Sequence, residues 1–374
     1  MIKTFQYSTQ QTFFDKIKSL DFQLIFVVLF IGGISFFAMH STDGGKIDYH
    51  TKSHVIRFVT FFSLFIALSF LPVKFWHSIS YFFYIIVLLM LVWALLFGIT
   101  ASGSQRWISL YFVNIQPSEL MKIAIIVCFA KFYHRIQSID VHSFKNVIQP
   151  IVILVVPIFL VVVQPDLGTA ILIALSGLAV TFLAGVNLKY YVYSFLALLV
   201  SAPFAISFLK PYQKKRILTF FDPERDPLGA GYQIIQSKIA IGSGGLLGKG
   251  YLKGTQSYLE FLPEKHTDFI FTLFSEEFGF VGSVILLILY SFLIYRIIKA
   301  GILTRSFFGK YFCFGFATAI FIYVAVNMSM VLGLVPIVGS PLPIMSYGGS
   351  SMMATMIGLS IVMSSRIYHK EIIT

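Results

Sequence analysis

Apolar runs of bilayer length recur along nearly the whole chain, near residues 22–39, 54–71, 78–98, 117–136, 149–163, 168–184, 190–208, 278–296, 307–331 and 350–367. A helix needs about 20 mainly apolar residues to cross the hydrocarbon core. Helices and closed barrels are the structures that satisfy their own backbone in lipid, and runs of this length read as helices. The fifth and sixth runs are short and are divided by a Pro-Asp pair. With 57% hydrophobic and 12% charged residues in 374, no segment is long enough to stand alone as a soluble unit. The expected fold is an all-α polytopic membrane protein with about ten transmembrane helices. Residues 1–374 form one membrane domain, with one long extracytoplasmic loop at about 209–267 that holds short helical or re-entrant segments.

Basic residues set the expected orientation. With a cytoplasmic amino terminus, the inner segments carry Lys3, Lys16, Lys18, Lys74, Lys131, Arg135, Lys145, Lys189, Arg296, Lys299, Arg305, Lys310, Arg366 and Lys370. The short outer loops then carry Lys46, Lys52 and Arg106. Under the positive-inside rule, both termini are cytoplasmic in a multi-pass protein of the cytoplasmic (inner) membrane. The net charge of +12 is mostly this signal; no soluble basic module exists to bind nucleic acid. The first span, with basic residues before it and no small-residue cleavage site after it, reads as an uncleaved anchor. Cys128 and Cys313 both lie inside spans, which argues against a disulfide framework or a cysteine metal site.

Four polar motifs interrupt the apolar pattern: Gln116–Lys122 (QPSELMK), Gln164–Ala170 (QPDLGTA), His266–Phe271 (HTDFIF) and Ser346–Ser351 (SYGGSS). They open the fourth, sixth, eighth and tenth runs. Alternate spans run in the same direction, so four helix starts converge on one membrane face, here the outer one. In HTDFIF, helical spacing places Asp268, Thr272, Ser275, Gly279 and Gly282 on one stripe, so Asp268 tops a small polar face fit to line a cavity. The plainer reading makes Thr267 or Asp268 a helix cap; an ionisable group at membrane depth favours function. Glu276 and Glu277 place the start of this helix above the hydrocarbon, with the span proper beginning near Phe278.

The two Gln-Pro motifs put proline in a first helical turn, where its missing N–H costs nothing. Beyond that stand Glu119 and Lys122, three residues apart, which either neutralise each other or contact a ligand, and Asp166. Arg57 lies one turn into the second span without a local acidic partner. Pro336, Pro341 and Pro343 break the chain before Ser346, Gly348, Gly349 and Ser350, whose backbone N–H groups and hydroxyls suit an anion. Gln105, Arg106 and Trp107 belong to the second outer loop. The long loop brings Lys210, Lys214, Lys215 and Arg216, then a short helix with Gln233, Gln236 and Ser237 on one side. Glycines from Gly242 to Gly250 follow, permitting close backbone approach to a ligand.

Taken together, GSQRWI, NIQPSELMK, QPDLGTA, YQIIQSKIAIGSGGLLGKG, FLPEKHTDFIF and PLPIMSYGGSS resemble the SEDS family (shape, elongation, division and sporulation) over nearly the whole chain. The segment GLVPIVGSPLPIMSYGGSS looks more like the elongation branch than the division branch. The resemblance implies a peptidoglycan glycosyltransferase that polymerises lipid II at the outer face of the membrane. It also implies a class B penicillin-binding transpeptidase and elongation-complex membrane proteins as partners. Asp268 takes the place of the family's essential aspartate and Trp107 that of its functional tryptophan. Arg57, Glu119, Lys122 and Asp166 match its charged span positions. A divalent cation (Mg or Mn) is implied, its ligands unassigned. Asp268 is then the expected general base, with Arg106, Lys215, Arg216, Gln233, Gln236 and Ser237 as further substrate contacts. A lipid II flippase or related transporter, and a non-enzymatic scaffold, remain the competing readings.

Overall fold

The computed structural model describes residues 12–373 except 102–103, 110–113, 137–140, 142, 209–210, 227–228 and 256–261; Lys3 and Lys210 lie outside them. Ten long helices coincide with the ten expected spans. They are α2 (Phe22–Thr42), α3 (Tyr49–Ser69), α4 (Val73–Phe97), α5 (Pro117–His134), α6 (Phe144–Val163), α7 (Leu167–Leu183), α8 (Leu188–Phe208), α11 (Ile270–Leu303), α12 (Phe307–Val331) and α13 (Gly349–Ile367). A short α1 (Phe13–Lys18) precedes them, and the long loop forms α9 (Pro211–Phe221) and α10 (Ala230–Ser243). Among the described residues, six helices are long and apolar enough to cross a membrane by length and composition alone: α2, α3, α4, α6, α11 and α12. The protein is a multi-pass membrane protein.

Three other long helices fall short for reasons visible in their sequences. α7 has 17 residues, and α13 is rich in Ser and Gly. α5 carries Glu119, Lys122 and Lys131 yet is buried along nearly its whole length, packed against α4, α7 and α12. Charge survives there because the helix faces protein rather than lipid. The lipid-facing work falls to helices such as α4, α6 and α8, whose Phe82, Leu89, Phe159 and Phe195 are exposed. A contiguous apolar surface of that kind suits a bilayer, not water.

Helix starts depart from expectation where a polar first turn was read as loop. α3 begins at Tyr49 because Asp48 caps it, accepting from the Tyr49 N–H. α6 begins at Phe144 and carries Pro150 and Pro157 within it. The segment between α4 and α5 is not plain coil. β1 (Ile99–Ala101), β2 (Ser104–Ser109) and β3 (Asn114–Ile115) form a three-stranded antiparallel sheet, pairing Ile99 with Trp107 and Ile108 with Ile115. This small sheet is the one addition to an otherwise helical fold among the described residues.

α11 is broken at Gly279, which has φ +65°. A continuous helix would bond the N–H groups of Phe280 and Val281 to the carbonyls of Glu276 and Glu277. Instead Phe280 N–H donates to Gly245 O (2.9 Å) and Val281 N–H to Leu246 O (3.1 Å). Lys249 and Gly250 N–H donate to the Glu276 and Glu277 carbonyls, both at 3.0 Å. The glycine loop after α10 thus replaces the missing helical bonds. Gly248, at φ +80°, sits so close that a Cβ would fall 2.0 Å from the Glu277 carbonyl oxygen. The expected close backbone approach is real, but its partner is this protein's own helix rather than a ligand.

Candidate active site

The starts of α5, α7, α11 and α13 meet around a cleft of about 610 Å³. Gln116 and Glu119 come from the first, Pro165 to Gly168 from the second, Thr267 to Phe269 from the third, and Tyr347, Gly348, Ser350 and Ser351 from the fourth. Each start leaves N–H groups without helical partners and adds the positive end of its dipole. Such a cluster favours an anionic ligand. The expected convergence of the four motifs is observed.

Asp268 stands in the turn before α11, whose N-cap is Phe269 with no side-chain cap. Neither Thr267 nor Asp268 therefore serves as the cap. Among the described residues the Asp268 carboxylate makes no hydrogen bond or ion pair, and it faces the cleft. Its backbone is held firmly instead. Asn327 Nδ2 donates to Asp268 O (2.9 Å) and to Ser340 O (2.7 Å). Ser346 Oγ donates to Thr267 O (2.7 Å), and Tyr347 N–H to His266 O (2.8 Å). These bonds lock the HTDFIF turn to the proline-broken loop before α13. Burial pushes the Asp268 pKa from 3.8 up to about 7, and the nearby Glu264 charge adds to the rise. Arg106 and Arg216 pull it down, and Asp166 pushes it up.

The opposite wall is electrically settled. Arg106 Nη1 meets Asp166 Oδ2 at 2.9 Å, and Gln116 Nε2 donates to the same oxygen at 3.2 Å. Asp166 also caps α7, accepting from Thr169 N–H. Glu119 pairs with Lys122 at 2.7 Å, and Lys122 lies 4.1 Å over the Tyr323 ring. Of the two readings for that pair, mutual neutralisation is what the geometry shows. Gly168 allows the loop carrying Gly339 to lie on this wall, since a Cβ there would meet Val338 O at 2.0 Å.

The structure sorts the expected contacts. Arg106, Trp107, Glu119, Asp166, Arg216, Gln233, Asp268, Gly348 and Ser350 line the cleft. Arg57 stands behind it, its guanidinium 4.5 Å over the ring of Tyr347, which does line it. Gly349 lies against Arg57, and a Cβ there would be 3.6 Å from Arg57 Nε. Several expectations fail. Lys215 is 61% exposed and pairs with Asp226 at 2.9 Å, because the turn after α9 brings that carboxylate to it. Lys122 is sealed beneath the wall, and Gln236 does not reach the cleft. Ser237 is buried between Thr272 Oγ1 and Val331 O, each at 2.7 Å. Ser346 is structural, bonded to Thr267 O and Leu342 N–H. The expected stripe fails for the same reason. Thr272 packs against α10, Ser275 bonds Ser283, and the break at Gly279 ends the helical period. The end opposite the cleft is not bare either, for Arg296 of α11 pairs there with Asp21 at the start of α2.

Sequence reasoning missed Glu264, Gln213 and Tyr347 among the cleft-lining residues, and Asn327 behind it. Glu264 stands four residues before Asp268, and an asparagine inside an apolar span is itself a polar signal. As for a cation, the lining holds the carboxylates of Glu119, Asp166, Glu264 and Asp268 against the guanidinium groups of Arg106 and Arg216. Two of those carboxylates are already paired. Glu264 and Asp268 are left as oxygen donors, the type a hard cation such as Mg²⁺ or Mn²⁺ takes.

Residues 17–371 match the family of cell cycle proteins that comprises FtsW, RodA and SpoVE. The peptidoglycan glycosyltransferase MrdB of Escherichia coli (strain K12) is 41% identical over 362 residues, 96% of this chain and 97% of that one. A probable peptidoglycan glycosyltransferase FtsW of Buchnera aphidicola (subsp. Baizongia pistaciae) is 34% identical over 317 residues, 84% and 83% of the two chains. Among solved structures, a chain of a peptidoglycan synthase complex studied for its coordination of polymerization and crosslinking superposes with a TM-score of 0.79. It is 31% identical and covers 93% of this chain and 97% of its own. The rod shape determining protein RodA of Thermus thermophilus gives a TM-score of 0.71 at 26% identity, covering 94% and 98%. The chain belongs to this family, the SEDS peptidoglycan glycosyltransferases.

Proposed function

We propose that the cleft polymerises lipid II into glycan strands during cell elongation, with Asp268 as the general base. One observation carries the assignment: a half-buried carboxylate without an ion-pair partner among the described residues, held near pKa 7 where four helix starts converge. A base titrating near the working pH combines availability with proton affinity. The Asp268 carboxylate takes the proton of an acceptor sugar hydroxyl as its oxygen attacks the anomeric carbon of the donor. The bond from that carbon to the pyrophosphate breaks, and polyprenyl pyrophosphate leaves. Charge growing on the leaving group is met by the helix starts of α7 and α13, by Arg216, and by Arg57 behind Tyr347. A divalent cation held by Glu264 would supply further neutralisation of that pyrophosphate and leave Asp268 to act as the base.

Trp107 and Arg106, carried on the central strand β2, line the cleft and would meet the lipid-linked sugar there. The basic-residue bias supports an outward-facing cleft with both termini cytoplasmic. A class B penicillin-binding transpeptidase is the expected partner, in line with the synthase complex whose chain this one resembles. The decisive experiment gives purified protein lipid II and scores glycan chains, with transbilayer movement followed in liposomes. Wild-type protein makes glycan and Asp268→Asn does not. Movement of lipid II without glycan synthesis would replace this reading with a transporter.

A further inference from the structure

A second cavity of about 430 Å³ lies beside the cleft and shares none of its lining residues. Its walls come from the loop after α2, the start of α3, the glycine loop and the turn just before Asp268. Asp43, Asp48 and Glu277 line it against a single lysine, Lys265. Within it, one ligating atom each from Asp43, His50 and His266 lie within 4.8 Å of one another. None of the three takes part in the glycosyl transfer described above.

We infer that Asp43, His50 and His266 form a binding site for a divalent cation of the imidazole-preferring class, with zinc the natural occupant. The donors are oriented for it. Thr51 donates both its N–H (2.9 Å) and its hydroxyl (2.7 Å) to Asp43 Oδ2, leaving Oδ1 toward His50 Nδ1 at 3.4 Å. The Thr42 hydroxyl engages His266 Nδ1 at 2.9 Å and fixes that ring. Hydrogen bonds behind the ligands are what metal sites use to hold tautomer and direction. Two imidazoles and one carboxylate with an open fourth position match the ligand types of zinc sites. Magnesium and calcium, which favour all-oxygen shells, are poorly served.

Binding requires a small rearrangement. The His50 and His266 rings stack at 4.0 Å and 13°, whereas a ring nitrogen ligates in its own plane. Zinc–nitrogen bonds of about 2.0–2.1 Å place tetrahedral ligand atoms roughly 3.3 Å apart. The half-buried His50 ring, at the amino end of α3, therefore turns out of the stack and the donors draw in. The result ties the first outer loop to the turn that carries Asp268. Through the His266 carbonyl, which accepts from Tyr347 N–H, it also reaches the SYGGSS motif. The bearing of this clip on polymerisation rests on the role proposed for Asp268; the binding itself does not.

The test uses full-length protein without a histidine tag, stripped with EDTA and then dialysed against Zn²⁺. Wild-type protein retains one zinc per chain through gel filtration and gains thermal stability from it. A cobalt-loaded sample shows the visible absorption of a four-coordinate site. His50→Gln and Asp43→Asn each lower zinc affinity by at least about tenfold, while unfolding like wild type in EDTA. Asp268→Asn keeps the zinc, which separates this site from the catalytic reading. Wild-type protein without bound zinc, variants that bind as tightly as wild type, or equal competition by Mg²⁺ would each overturn the proposal.

Discussion

The two walls of the cleft carry similar residues in opposite electrical states. On the α5 and α7 side every carboxylate has a cation: Asp166 has Arg106 and Glu119 has Lys122. On the α11 side Glu264 and Asp268 have none among the described residues, and burial, with the Glu264 charge beside it, raises the pKa of Asp268 to about 7. Paired charges hold a fixed shape and resist a change of protonation. An unpaired, half-buried carboxylate can take up and release a proton near neutral pH. The first wall is fixed in charge, and the second can change it.

The sharpest way to break that contrast is Asp268→Asn. Glycan synthesis by purified protein should fall roughly 10²–10⁴-fold. The same variant should melt higher than wild type at pH 8, because ionised Asp268 is disfavoured in the folded state. A raised folded pKa makes stability fall as pH climbs from 3.8 to about 7. The advantage of the asparagine should therefore shrink as pH drops through that window, read from thermal unfolding in detergent. Equal melting at all pH values would show that the carboxylate is not strained by burial.

Next in size is Arg106→Ala, which leaves Asp166 buried without its cation. Breaking a fully buried pair costs about 3–5 kcal/mol. Arg106 is 27% exposed, so on the order of 2 kcal/mol is expected. Arg106→Ala with Asp166→Asn should recover part of the loss, as a double-mutant cycle of unfolding energies would reveal. A smaller effect sharpens the second wall. Glu264→Gln removes a charge that raises the Asp268 pKa, so the acid limb of the rate profile should move to lower pH. Arg216→Gln should move it to higher pH. The smallest effect belongs to Lys215→Ala, whose exposed pair with Asp226 contributes about 0–1 kcal/mol; polymerisation rates should match wild type.

The convergence of the four motifs was legible because it needs only span counting and the alternation of direction. Asp268 was legible as an ionisable group at a span mouth. What hides from such reading is anything decided by a turn between elements. Lys215 looked available because its partner Asp226 is eleven positions away, across a short 3₁₀ turn. Gln236 and Ser237 shared a face with Gln233 by spacing, yet Ser237 is taken up by Thr272 and Val331, and of the three only Gln233 lines the cleft. The periodic stripe below Asp268 assumed an unbroken helix, and Gly279 breaks it. The sheet bearing Arg106 and Trp107 left only short β-prone stretches beside a loop, too little for a strand pattern to stand out.

The exchange of backbone bonds at Gly279 restricts how this protein can move. Residues 245–250 complete a turn of α11, so they cannot swing away as a hinged cover for the cleft. Peeling them off strands two carbonyls and two N–H groups inside the protein, each costing roughly 1–3 kcal/mol. Any opening motion must carry the glycine segment, the upper turn of α11 and the Asp268 turn as one rigid piece. The Asp268 carboxylate then keeps its distance from that segment whatever the rest of the mouth does.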